Sequence, residues 1–350
     1  DTTTWVGGLS WIDVEVLHQR TGSGDTAHDL LKLGTSARVA LATALLWSAL
    51  SRRPTHYRRT ARWLHLAVRW YVAFALMGYG MIKFYSGQFP YPHLGRMLTP
   101  VGETSPMGLV WTFMGFSKPY EVWVGIGETL AGLLLLSRRT STLGALVAVA
   151  VMSNVAMLNW FYDVPVKLYS SNLLAMSAAL LVPDLSRLIR MFLLNRPVAP
   201  RQLGVTRFGW FNRSLTAFGV LWMGVHLWST HEGSLEMMEQ RRATYPELYG
   251  VWDVQSHLVN GEELTEGDPA RWKWLAIDRR ETGWIETQAG TTEYLRIEEE
   301  LAEDSLVVAP TSARLDKSTW NVERGTTTVE VRDPAPREMA DYQRRVEVER

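Results

Sequence analysis

Two charged residues stand in otherwise apolar helical runs: Lys83 in LMGYGMIKFYSG and Glu128 in EVWVGIGETLAGLLLL. A charge near the middle of a helix in lipid costs about 2.5–3.5 kcal/mol even on insertion scales, so each must face protein or water and find a partner. Tyr79, Gly80, Lys83 and Gly87 share one helical face at spacings of three and four, and Gly125, Glu128, Thr129 and Gly132 do the same on the other run. Glycine on both faces lets two helices approach closely, which is where a buried ion pair can sit. Two kinds of chemistry are open to it. Lys83 can snorkel to the interface while Glu128 hydrogen-bonds between helices, a structural role. Alternatively, a desolvated Glu128 can accept a proton or contact a quinone.

A second polar group lies in NVAMLNWFYDVPVKLYSSN: Asn154, Asn159, Asp163, Lys167 and Asn172. Asn159 and Asp163 are four apart and can share a face, whereas Asn154 falls on another. Asp163 and Lys167 flank Pro165 and read as an interfacial cap, because polar helix ends need satisfied backbone groups. With Lys83 and Glu128 these residues would outline one polar pocket opening outward. No catalytic residue is identified. The chain has no cysteine, which excludes thiolate redox chemistry, thiolate-held iron–sulfur clusters and sulfur-ligated zinc. Its histidines show no HExxH spacing, and His226 and His231 read as interfacial residues, so no metal site is expected. GSGDT at Gly22–Thr26 lacks the lysine of a phosphate-binding loop and reads as a turn with a helix cap at Asp25 or Thr26.

The elements that carry these residues follow from charge and hydropathy. The 350-residue total of 36 basic and 36 acidic side chains conceals 21 Lys+Arg against 11 Asp+Glu up to Ser234 and 15 against 25 after it. Between Thr104 and His231 the only acids are Glu121, Glu128, Asp163 and Asp184. Apolar runs at about 37–50, 63–85, 120–136, 141–161, 167–182 and 208–228 predict six membrane spans, the first short and able to begin nearer Leu30. Arginines cluster after the first span (Arg52, Arg53, Arg58, Arg59, Arg62), after the third (Arg138, Arg139) and between the fifth and sixth (Arg187 to Arg213). Cytoplasmic loops retain such residues. The expected location is therefore the bacterial cytoplasmic membrane, multi-pass, with the acidic C-terminal domain periplasmic or extracellular. Basic clusters beside spans orient the chain, so nucleic-acid binding is not expected.

The expected domains are an N-terminal outer segment, 1–36, processed or truncated; a transmembrane helical domain, 37–234; a stalk, 235–247; an extracytoplasmic β domain, 248–334; and a polar tail, 335–350. YGVWDVQSHLV, RWKWLAIDRR, GWIETQ, TEYLRIEEE, SLVVAP, STWNVER and TTTVEVRD alternate as short strands and predict an antiparallel barrel or sandwich.

GYGMIKF followed by EVWVGIGETLAGLLLLSRRTSTLGALVAVAVMSN resembles the DoxX/DoxD-like membrane family over roughly Arg62 to Leu194. The resemblance implies a four-helix transmembrane core, here with a helix added on each side, with Lys83 and Glu128 as the matching residues. It also implies association with quinone-linked oxidation or with oxidoreductase complexes. LYGVWDV resembles the opening of lipocalin-like barrels, with Gly250 and Trp252 in structural roles. The functional expectation is an accessory or structural subunit, rather than an enzyme, of a membrane complex of respiratory or photosynthetic electron transfer. The alternative is an oxidoreductase component binding quinone or lipid in the Lys83/Glu128 pocket. Expected partners are membrane lipids and other membrane subunits. Quinone or a bound lipid is the only cofactor class suggested.

Overall fold

Thr26 opens the first described helix by a reciprocal cap. The Asp29 N–H donates to Thr26 Oγ1 at 3.2 Å, and the Thr26 hydroxyl and N–H donate to Asp29 Oδ2 at 2.6 and 3.3 Å, which satisfies backbone donors that a helix start leaves open. The computed structural model describes residues 24–50, 54–199, 209–242, 249–259, 262–279, 282–295, 300–302, 305–308 and 327–331. The expected N-terminal outer segment up to residue 23, the strand STWNVER and the tail from 335 lie outside the described residues, as do 243–247 of the expected stalk.

Chain contacts divide the protein into two units, Asp1–Phe89 with Ser117–Leu235, and Pro90–Phe116 with Glu236–Arg350. The first unit holds α1 (Ala27–Leu50), α2 (Pro54–Phe84), α5 (Lys118–Leu136), α6 (Ser141–Phe161), α7 (Lys167–Leu181), α8 (Leu185–Leu188) and most of α9 (Gly209–Arg242). The second holds α3 (Leu94–Leu98), α4 (Pro106–Phe116) and the strands. The helical part of the expected stalk, to Arg242, simply continues α9, and α1 begins at Ala27, ahead of the expected start.

Helices α2, α5, α6 and α7 pack in a closed ring, each against the next and α7 against α2. Their shared core is Val72, Ala73, Leu76 and Met77 from α2, Ala131 and Leu135 from α5, Ala145, Ala148 and Met152 from α6, and Leu173 and Leu180 from α7. α9 lies along α2: Trp70 covers Gly219, where a Cβ would come within 2.7 Å of the indole, and Phe74 meets His226 edge-on. Three stretches, Ala27–Leu50, Ser141–Phe161 and Lys167–Leu193, are long and apolar enough to cross a membrane. The other three runs expected to span, at about 63–85, 120–136 and 208–228, are helical in α2, α5 and α9 but are not among these three stretches. No residue of α1 is buried. Large apolar side chains such as Leu45, Trp123, Leu133, Phe161, Leu221 and Trp228 are exposed.

The second unit is mainly an antiparallel sheet. β1 (Gly250–Val259), β3 (Trp272–Arg279), β4 (Thr282–Thr287), β5 (Thr292–Leu295), β6 (Glu300–Ala302), β7 (Ser305–Val308) and β8 (Thr327–Val331) follow the order β5-β4-β3-β1-β8-β7-β6, and the short β2 (Glu262–Glu263) pairs with β1. Gly283 pairs with Leu295 and Glu286 with Thr292 across a tight turn in which Gly290 has a φ of +80°, a conformation that favours glycine. β3 is buried on both faces from Trp274 to Asp278. Trp274 and Ala276 pack with Leu94 of α3 and Val251 of β1. α3 can lie this close because Gly95 meets the Trp284 indole, which a Cβ would approach to 2.3 Å.

Candidate functional site in the helical unit

The seam between α2 and α5 is set by glycine. A Cβ on Gly80 would come within 2.7 Å of the Gly125 carbonyl oxygen, one on Gly125 within 2.8 Å of the Gly80 carbonyl, and one on Gly132 within 2.9 Å of the Ala73 carbonyl. The two helices are thus in backbone contact and antiparallel, which brings Lys83 opposite Glu128. Lys83 Nζ donates to Glu128 Oε2 at 2.7 Å, with only 4% and 3% of the two side chains exposed. Taken from water singly, either charge would be very costly; together, at this distance, each offsets much of the other's desolvation. The ammonium also lies 5.7 Å from the Tyr79 ring centre and 5.9 Å from that of Phe89, within cation–π range.

The end of α2 builds the rest of the site. Ser86 adopts a left-handed φ of 50°, and the Gly87 N–H returns to the Ile82 carbonyl at 2.9 Å, a helix stop that turns the chain back. The Phe89 N–H thereby reaches Glu121 Oε1 at 3.3 Å. Lys118 Nζ donates to the Lys83 carbonyl at 2.8 Å and lies 3.4 Å from Glu121 Oε2. Glu121, 1% exposed in its side chain, is a buried carboxylate that stands out in the sequence only as one of the few acids of this half. Its signal was present: it lies seven residues before Glu128, two helical turns away on the same face, and three after a lysine.

The other expected pocket residues are distributed over the bundle. Asp163 and Lys167 do pair, at 2.7 Å, but the Asp163 side chain is 81% exposed. Their neighbour is Asp25, whose carboxylate accepts the Lys167 and Leu168 N–H groups at 2.7 and 2.8 Å. Asp25 therefore caps α7, while Thr26 caps α1. Asn159 is buried in α6, Asn172 is half-buried in α7, and Asn154 is exposed. The structure joins Lys83 to Glu128 and Asp163 to Lys167, and leaves Asn154 on an outer face. Of the histidines, His231 is hydrogen-bonded to the Tyr85 hydroxyl. Among the described residues no cluster of His, Asp and Glu is arranged to hold a metal.

At the opposite end of the bundle, fully buried Asp184 accepts the Thr142 hydroxyl at 2.7 Å and pairs with Arg187 at 2.8 Å. In the β unit, buried His257 accepts the Trp272 N–H on Nδ1 at 3.2 Å. Burial, reinforced by the Arg271 guanidinium and opposed by Asp268, holds its proton affinity below the ordinary histidine range. The ring is therefore a neutral acceptor tying β1 to β3.

The chain is 33% identical over 137 residues to the uncharacterized protein YwoB of Bacillus subtilis (strain 168), an alignment covering 39% of this chain and 85% of that protein. The chain belongs to the same family as YwoB. No protein-family model and no solved structure matches it.

Proposed function

We propose that the chain is a six-span protein of the bacterial cytoplasmic membrane that serves as an accessory subunit of a membrane complex, its acidic β unit outside the cytoplasm and available to a partner. The observation that carries this reading is the closed Lys83–Glu128 contact. Lys83 and Glu128 face each other across the α2–α5 seam, and the backbone approach at Gly80 and Gly125 leaves no room between the helices there. Such a pair holds helices in register. The exposed apolar side chains around the bundle suit lipid and neighbouring subunits, and the arginine distribution supports the sidedness. Purification of the full chain in mild detergent is expected to bring down stoichiometric partner chains, and a strictly lone monomer would contradict the reading.

A second reading, a quinone- or lipid-binding component of membrane electron transfer, is favoured by one feature. Lys83 meets the rings of Tyr79 and Phe89, and Tyr79 is itself 39% exposed, so an aromatic edge leads from the bundle surface to the ammonium. On this reading Glu128→Gln and Lys83→Met lower both bound quinone and electron transfer. Unchanged values in both variants would discard it.

A further inference from the structure

A groove of about 680 Å³ opens on the helical unit, lined by Arg138, Arg213, Thr216, Ala217, Val220 and Leu221. It lies away from the Lys83–Glu128 seam, at the other end of α5. Arg138 follows α5 and is held by a hydrogen bond from its guanidinium to the Asn212 carbonyl at 3.4 Å, which fixes the turn to the first part of α9. Arg213 is exposed in that same part. Thr216, Ala217, Val220 and Leu221 continue from it at helical spacing, so they form one stripe. Val220 and Leu221 stand seven and eight residues beyond Arg213, about 10–12 Å along the axis.

We propose that this groove binds an anionic phospholipid of the cytoplasmic leaflet, its phosphate between Arg138 and Arg213 and an acyl chain along Ala217, Val220 and Leu221. Two features of the groove select this occupant. Guanidinium groups at one end match a phosphate in charge and in paired N–H geometry, and the apolar stripe runs away from that end in the direction a lipid tail would take. On the proposed topology the turn holding Arg138 and the start of α9 holding Arg213 lie on the cytoplasmic side, where the leaflet is anionic and basic pockets between helices bind such headgroups. The proposal rests on the membrane reading above and adds a specific lipid site to it.

The test is native mass spectrometry of the full-length protein titrated with phosphatidylglycerol or with phosphatidylcholine of the same chains. The unaltered protein should retain phosphatidylglycerol at least about tenfold more tightly. Arg213→Gln should reduce that preference about fivefold and Arg138→Gln/Arg213→Gln should abolish it, from the contribution of single basic residues near a bilayer. Arg139→Gln, an exposed arginine outside the groove, should leave it intact. Equal retention of the two lipids, an unchanged preference in Arg213→Gln, or a dimer that excludes lipid from the groove would overturn the proposal. Alkaline carbonate washing of membranes separates the two failures. Release of the chain overturns the membrane reading itself, whereas retention without lipid preference overturns only the site.

Discussion

Lys83 and Glu128 were legible as a pair from two observations alone: each is a charge in an apolar run, and each is flanked by glycines at helical spacing. The placement of Glu121 on the same helical face as Glu128 follows from their spacing, but its contact with the Phe89 N–H does not, because that contact depends on the left-handed turn at Ser86, and serine does not announce that conformation. Removing one member of a buried ion pair leaves the other uncompensated, at a cost of about 3–5 kcal/mol. Lys83→Met and Glu128→Gln should each lower the thermal midpoint in detergent markedly, and Lys83→Met/Glu128→Leu should recover much of the loss. A double variant no more stable than the worse single one would show that the charges are needed for something beyond their mutual neutralisation. His257 makes a different prediction. Its folded-state proton affinity is lowered, so the unfolded chain binds the proton more readily. The stability that depends on the neutral ring is complete above about pH 6.5 and declines as pH falls from there toward the folded-state value. The near-ultraviolet circular dichroism melt of the β unit should shift downward between pH 7.5 and 5.5, and His257→Gln should remove the part of that shift owed to this residue. A shift identical in the variant would assign the effect elsewhere.

Among elements, the α2–α5 seam depends on carbonyl oxygens where side chains would ordinarily separate helices. Gly80→Val should be costly because even the first carbon meets the Gly125 carbonyl at 2.7 Å, and backbone cannot rotate away as a flexible side chain can. Overpacking of this kind typically costs about 1–3 kcal/mol, and the loosened seam should also expose Lys83 and Glu128 to water. Gly224→Val, at a position with open space, should be nearly neutral by comparison. Equal losses in both variants would mean that the seam is not close-packed. The same scale shows where periodicity falls short. Strands β1, β3, β4, β5, β7 and β8 were legible from alternation and turn residues. Between the apolar runs at about 63–85 and 120–136 no helix is expected, yet residues 94–116 contain α3 and α4. α3 has five residues, too few for a helical period to register, and it is held on the sheet by the close approach of Gly95 to Trp284, a contact between residues far apart in sequence.

For the whole molecule, neutral overall charge hides a basic helical half and an acidic strand-rich half. That asymmetry is visible by counting, because a charge balance depends on no single contact. Three-dimensional grouping was less visible: residues 90–116 join the C-terminal strands in one unit, a pairing that no local pattern encodes. On the proposed topology the helical half crosses the bilayer repeatedly, with the acidic unit and the arginine turns on opposite sides. Absence of native cysteine makes a direct measurement available. Ser137→Cys, in the turn after α5, and Glu266→Cys, in the exposed turn before β3, can be labelled in intact cells with a membrane-impermeant maleimide. Glu266→Cys is expected to label in intact cells and Ser137→Cys only after permeabilisation. Labelling of both under the same condition would contradict that topology.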